Sequence, residues 1–406
     1  MNSKKLFLLP FLLFSLLNGF AADPSVGYQL YGFVRNDFYI NSRQNFEVLD
    51  GLFSIFPKPV DINTNGKDKN AVPNAEMLSV ATRLGIDFRG TPIMGAKSTA
   101  KIECDFAGIS TSYYLIRIRQ AYLKLNWEKT ELLVGQTWHP LFGSVLPTVP
   151  SLNTGSPFQP FNRSPQVRAK HMLTNELSVI GSVNYQMQYM SQGPLGASPS
   201  YLKNALLPDI FVGLESKSKH WISGVGFDTK MLKINDARLS SGSAVAYTQY
   251  ADNQLQIKAK AIYGQNLSDH LMIGGYGISN ESTTNNIVYT NFNTLSSWLN
   301  LVYGTKVQTG IFVGFSQNLG TNENLNIDAA GKITAYGYGF YADTQQLMDR
   351  IYRIAPHITY NLSNFKLGFE YELTSADYGK IQGNGRIENS SAATNHRAMA
   401  TISYIF

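Results

Sequence analysis

The chain has 406 residues, 44% of them hydrophobic and 12% aromatic but only 15% charged, against the roughly 25% charged residues of an ordinary soluble domain. Its 34 Lys and Arg outnumber 28 Asp and Glu by a formal +6, too small an excess to point to nucleic acid. Beyond the first 21 residues no run of 18 apolar residues occurs, which argues against an α-helical membrane protein, and the single cysteine, Cys104, rules out an internal disulfide.

Residues 1–21 read as a secretory signal peptide. Lys4 and Lys5 form a positive n-region, Leu6 to Phe20 an apolar stretch interrupted by Pro10, and Gly19-Phe20-Ala21 ends in a small residue suited to cleavage. Cleavage leaves residues 22–406, with 32 basic and 28 acidic residues, and no Cys follows the cleavage point as a lipoprotein would require.

Along the rest of the chain, apolar and polar residues alternate with period two, predicting sixteen strands. In order these are 28–39, 78–89, 97–107, 113–127, 130–140, 166–173, 176–189, 209–217, 220–234, 238–251, 254–266, 291–304, 306–318, 350–362, 364–376 and 395–406. Seven connections are short, such as 173–176, 251–254 and 361–364, and the alternate set is mostly long, with exceptions near 108–112 and 235–237. An even strand number, segments of about ten residues and loops sorted by end predict an all-β fold. The expected form is a transmembrane antiparallel up-and-down β-barrel with short periplasmic turns and long extracellular loops.

The faces agree with that prediction. Phe365, Leu367, Phe369, Tyr371 and Leu373 oppose Lys366, Gly368, Glu370 and Glu372, while Tyr352, Ile354, Ile358 and Tyr360 oppose Arg353, His357 and Thr359. Alternation alone does not say which face is inside; the signal peptide and the sorted loops assign the apolar face to lipid. The final strand ends with Ile402, Tyr404 and Phe406 in phase, which resembles the C-terminal aromatic signal of Gram-negative outer-membrane barrels. Trp138, Trp221 and Trp298 are assigned to interfacial girdles.

The same phase puts Arg117 and Arg119 on the polar face of the stretch 115–122, with Ile116 and Ile118 opposite. Extended to the other strands, it nominates Arg35, Arg83, Asp87, Lys101, Glu103, Asp105, Arg117, Arg119, Arg168, Lys170, Arg353 and His357 as pore-lining. With both termini periplasmic, Arg83, Arg117, Arg119, Arg168 and Lys170 are expected in the outer half of the barrel. There they form a basic patch that attracts anions, or pair across strands with Asp87, Glu103 and Asp105. The loop 141–165, stiffened by Pro147, Pro150, Pro157, Pro160 and Pro165, is a candidate pore-constricting loop carrying Arg163, or else a loop exposed to solvent. Gln120, Lys124 and Gln136 are expected to face outward, toward a protein neighbour or the headgroups.

Three stretches carry a family resemblance: Lys101-Ile-Glu-Cys-Asp-Phe106, Ile116-Arg-Ile-Arg-Gln-Ala-Tyr122 and Leu133-Val-Gly-Gln-Thr-Trp138. They resemble the DcaP-like porins of Gram-negative outer membranes and, more loosely, the phosphate-selective porins. Gln120 stands where that motif has His, and the resemblance covers the second to fifth strands. It implies a sixteen-stranded homotrimeric channel in outer-membrane lipid that passes small, often anionic, solutes, with the paired arginines at Arg117 and Arg119.

Motifs for chemistry are missing. Gly90 to Ser98 resembles a phosphate loop but has Ala96 between Gly95 and Lys97 and joins two strands. The six His residues show no metal-ligand spacing, and no Gly-x-Ser-x-Gly elbow occurs. No enzyme activity, cofactor, metal or nucleic-acid partner is expected. The leading expectation is a passive diffusion channel for small hydrophilic, anionic solutes. The alternative is a surface receptor or adhesin whose long loops at 40–77 and 319–349 bind a partner, and an outer-membrane hydrolase ranks third.

Overall fold

The computed structural model describes residues 27–49, 51–107, 115–283 and 286–406, so the signal-peptide expectation and the tip of one connection, 108–114, lie outside the described residues. The wall is a closed antiparallel barrel of sixteen strands. We number them β1 (Gly27–Asn41), β2 (Asn74–Leu78 continued by Arg83–Arg89), β3 (Lys97–Asp105), β4 (Arg117–Asn126), β5 (Thr130–Trp138), β6 (Arg163–Met172), β7 (Leu177–Asn184), β8 (Asp209–Lys217), β9 (Trp221–Ile234), β10 (Ala237–Ala251), β11 (Leu255–Gln265), β12 (Tyr289–Gly304), β13 (Val307–Thr321), β14 (Gln346–Leu362), β15 (Phe365–Ile381) and β16 (Ile387–Ile405). Closure runs through β1, which pairs with β16 from Phe33↔Ile405 to Asn41↔Arg397 and with β2 from Gly27↔Arg89 to Phe33↔Arg83. With its edges joined, the sheet leaves no unpaired strand.

All sixteen predicted strands overlap an observed one, and the largest boundary differences lie at the long-loop end. β15 continues to Ile381 and β16 begins at Ile387, where the alternation had predicted 376 and 395. Above a lipid belt neither face needs apolar residues, so the start of β16 resumes pairing at Glu388 and Ile387 across an irregularity at Asn389-Ser390 but loses the pattern by which a strand is recognised. Wall height divides the barrel in two. The strands β3 to β8 hold 8 to 10 residues, whereas β9 to β16 hold 11 to 19. Ten residues at about 3.4 Å, tilted by roughly 40°, just cover an apolar band about 25 Å tall.

The faces are as the alternation predicts. Phe369 is 51% exposed and Ile354 and Ile358 are also outside, while Arg353, His357, Glu370 and Glu372 are buried inside. Connections 127–129, 173–176, 218–220, 252–254, 305–306 and 363–364 are tight turns at one end, whereas 42–73, 139–162, 185–208, 266–288 and 322–345 are long.

Two of the long loops turn inward. A hairpin, Asn45–Val48 paired with Phe53–Pro57, and the loop 139–162 meet inside the barrel and, with Leu267, Leu271, Met272 and Ile273 of loop 266–288, form an apolar core there. Phe53 meets Phe161 edge-on at 5.1 Å, and Trp138 stacks on Phe142 at 4.2 Å. Trp298, Phe312, Ile351 and Tyr378 of the wall close around these rings. The girdle assignment therefore needs correction: Trp138 and Trp298 point inward to pack on inserted loops, and only Trp221, beside Tyr250 near a tight turn, keeps an exposed position.

Candidate functional site: a charge cluster facing an inserted loop

The cluster begins with cross-strand pairing of β2, β3 and β4. Arg83 lies opposite Asp105 in register, and Asp105 opposite Arg117, so alternation alone brings three charged side chains to one height. Arg117 holds Asp105 with two parallel hydrogen bonds, from Nε at 2.9 Å and Nη2 at 2.7 Å. Arg119 donates from Nε to Glu103 at 2.9 Å and from Nη1 to Asp105 at 2.8 Å, and Arg83 lies 3.9 Å from Glu103. Below them Tyr31 donates to Glu103 at 3.0 Å, and Lys101 reaches Tyr31 and Asp87, each at 3.0 Å. Cross-strand pairing is therefore present, yet three arginines face only two carboxylates in this group.

A bulge sharpens the arrangement. Glu103 pairs with Gln120 and Cys104 with Ile118, leaving Arg119 as the extra residue of β4. Arg119 and Gln120 consequently both point inward, where Gln120 donates to Glu103 at 3.2 Å and accepts from Thr137 at 2.9 Å. Past the bulge the phase is reversed, so Lys124 faces inward, 3.1 Å from Glu131. The outward placement expected for Gln120 and Lys124 is thus overturned, because a bulge changes the period by one residue. Gln136 does face outward, and its amide donates to Ile118 O at 3.1 Å and Arg119 O at 3.5 Å, satisfying carbonyls that the bulge takes out of the ladder.

The loop 139–162 leaves the wall after Trp138, crosses the interior and returns at Arg163. Its far side is tied to strands across the barrel. Arg35 donates to Pro150 O at 2.7 Å, Asn300 accepts from Thr148 N at 2.8 Å, and Lys258 donates to Thr148 Oγ1 at 2.7 Å. Lys260 donates to Phe142 O and to Gln159, and Asn153 donates to Glu372 at 3.0 Å. Arg353 binds both inserted segments: Nη1 donates to Ser156 O at 3.0 Å, and Nη2 to Ser54 O and Ile55 O at 2.9 and 3.1 Å. Arg353 is 1% exposed, and His357, also buried, follows four residues later on β14, opposite Glu370.

Arg163 differs from all of these. Its guanidinium lies 3.9 Å over the Trp138 ring and 5.5 Å from Phe161, and only Nη1 is satisfied, by Gln188 at 2.9 Å. Nε and Nη2 have no hydrogen-bond partner among the described residues, and the charges that act most strongly on the group are the like charges of Arg119, Arg117 and Arg83.

No family model matches the chain, and no curated protein matches it in sequence. Solved structures do. The outer membrane channel DcaP of Acinetobacter baumannii superposes with a TM-score of 0.70 at 19% identity, covering 96% of this chain and 99% of its own. The fold is that of an outer-membrane porin. OmpT, an outer membrane protein of Vibrio cholerae, gives a TM-score of 0.56 at 8% identity over 95% and 99% of the two chains. The anion-selective porin from Comamonas acidovorans gives 0.53 at 9% over 94% and 100%.

Within this porin fold the remaining candidates separate by height. Arg168 lies opposite Leu133 and Ser182 near mid-wall, and Lys170, opposite Glu131 and Ile180, sits two residues from the tight-turn end. The outer-half placement expected for Lys170 is therefore corrected: β6 starts only where the inserted loop returns, so its basic residues fall lower than a full-height strand would put them. Lys170 is held by Glu215 at 2.6 Å, which also accepts from Tyr247 at 2.9 Å. Alternation missed Tyr31, Gln120 and Gln188, whose roles depend on a bulge or on residues far away in the chain.

Proposed function

We propose that the protein is a passive diffusion channel of the Gram-negative outer membrane for small hydrophilic, anionic solutes, with loop 139–162 as its constriction. The observation that carries this reading is the excess of guanidinium over carboxylate where the inserted loop returns to the wall. Among the described residues, Arg83, Arg117 and Arg119 share two carboxylates, Glu103 and Asp105, and Arg163 adds a fourth guanidinium with two enclosed donor nitrogens that lack partners. A narrow, low-dielectric passage focuses the field of such an excess and raises the local anion concentration. Paired carboxylates keep the arginines extended and separated, while Trp138 supports Arg163 from one side. The DcaP and Comamonas porin likenesses support the same reading, and residues 1–21 supply an export signal for it. Homotrimer formation is proposed from the porin likeness alone, because Gln120 and Lys124 no longer mark an outward polar patch.

Planar-bilayer recordings of the purified protein under a salt gradient test the proposal. Stepwise conductance with a reversal potential favouring anions is expected, moving toward zero in Arg163→Ala. Absence of steps would remove the channel; a cation preference indifferent to Arg163 and Arg117 would remove the filter.

A further inference from the structure

Where the inserted loop departs, a second polar cluster is enclosed that the channel reading does not use. His139 directly follows β5, Asp209 opens β8 and Asp228 lies in β9, and one ligand atom from each falls within 4.8 Å of the other two. His139 Nε2 is 3.4 Å from Asp209 Oδ2 and 3.8 Å from Asp228 Oδ1. Those separations exceed a good hydrogen bond, and His139 Nε2 and Asp228 Oδ1 are both without a partner, although both residues are at most 3% exposed. Zinc bonds of about 2.0–2.2 Å in a tetrahedron put neighbouring ligand atoms about 3.4 Å apart.

Charge points the same way. Asp209, Asp228 and Asp269 are enclosed with one cation, Lys230, which donates to Asp269 and to Asn266 O at 2.6 Å. Asp269 also accepts from Gln186 at 2.9 Å, and the His270 ring stands edge-on to His139 at 4.8 Å. His139 Nδ1 accepts the Leu141 N–H at 3.2 Å, which leaves Nε2 as the ring nitrogen turned toward Asp209 and Asp228. With all three ionised, these carboxylates against one ammonium leave two negative charges, which a divalent ion matches and which protons shared between Asp209 and Asp228 otherwise offset. A cavity of about 160 Å³, lined by Trp138, His139, Arg168, Lys170 and Phe211 among others, reaches the His139 side.

We propose that His139, Asp209 and Asp228 bind a divalent ion of the zinc class, which fastens the start of loop 139–162 to the β8–β9 wall. Ligation through Nε2 shifts the ring proton to Nδ1 and releases the Leu141 N–H, so the ion and the first turn of the loop are coupled. Widely separated positions on three elements explain why no ligand spacing shows in the sequence.

The test uses the folded mature protein in detergent, stripped with a chelator and titrated calorimetrically with Zn²⁺, with Mn²⁺ and Ca²⁺ for comparison, alongside elemental analysis. One Zn²⁺ per chain and a higher unfolding temperature are expected, with binding at least tenfold weaker in Asp228→Asn and His139→Gln. Heat-modifiable migration on gels verifies that each variant has formed its barrel; should His139→Gln fail to fold, Asp209→Asn replaces it. A stripped wild type that takes up no Zn²⁺ overturns the proposal and leaves the carboxylates sharing protons instead. Unchanged affinity in the folded variants overturns it as well.

Discussion

Arg353 and Arg163 lie on the inner side of one barrel, each about 1% exposed, yet their hydrogen-bonding groups are used in opposite ways. On β14, Arg353 directs its guanidinium at Thr374 and at three carbonyls of the two inserted loops, with Glu372 3.9 Å away. At the return of the loop, Arg163 rests on an aromatic ring and keeps two donor nitrogens without partners. The first cation is consumed in structure; the second is enclosed with two N–H groups unsatisfied, the feature on which the proposed anion path rests. A buried positive charge therefore does not by itself indicate an anion path; what matters is how many of its N–H groups the protein has already satisfied.

The contrast can be broken most forcefully at Arg353. Arg353→Ala removes four hydrogen bonds and one of the two buried guanidiniums, Arg353 and Arg397, that stand beside Glu372, so a loss on the order of 3–5 kcal/mol is expected, read as a lower unfolding temperature and noisier single-channel current. Arg163→Ala is expected to do the reverse: little change in unfolding, but a several-fold fall in the anion-to-cation permeability ratio. If the two variants behave alike in both assays, the distinction fails.

A smaller effect is expected at the bulge that aims Arg119. Gln136→Ala removes the amide donating to Ile118 O and Arg119 O and should lower stability by about 1 kcal/mol, measured in denaturant titrations, with selectivity nearly intact. The smallest concerns the outer part of loop 42–73. Burial acts to raise the Asp68 pKa, but the N–H groups of Asp61 and Asn70, with Arg43, outweigh it and hold the carboxylate below its usual range. Its stabilising contribution is present above the unfolded carboxylate pKa and is lost as pH falls through the lower folded value. Pepsin cleavage within 58–73 should therefore rise only in strong acid for the wild type and already at mild acidity for Asp68→Asn.

How far the alternation could be read varied with distance along the chain. Sixteen strands, the lipid-facing residues and the shared face of Arg117 and Arg119 were legible because they depend on neighbours two residues apart. The bulge at Arg119 was not, since an extra residue is defined only against the partner strand. Nor was the hairpin 45–57 inside the barrel, whose anchors Arg353 and Tyr378 lie about 300 residues on. His139, Asp209 and Asp228 are likewise scattered over three elements.

By itself, then, the sequence determined a barrel and its two faces, because lipid on one side and water on the other impose a period that local pattern records. Only the tertiary structure decided which inward cations hold loops and which keep free N–H groups. That outcome depends on carbonyls and carboxylates supplied from remote segments, and no local pattern encodes their arrival.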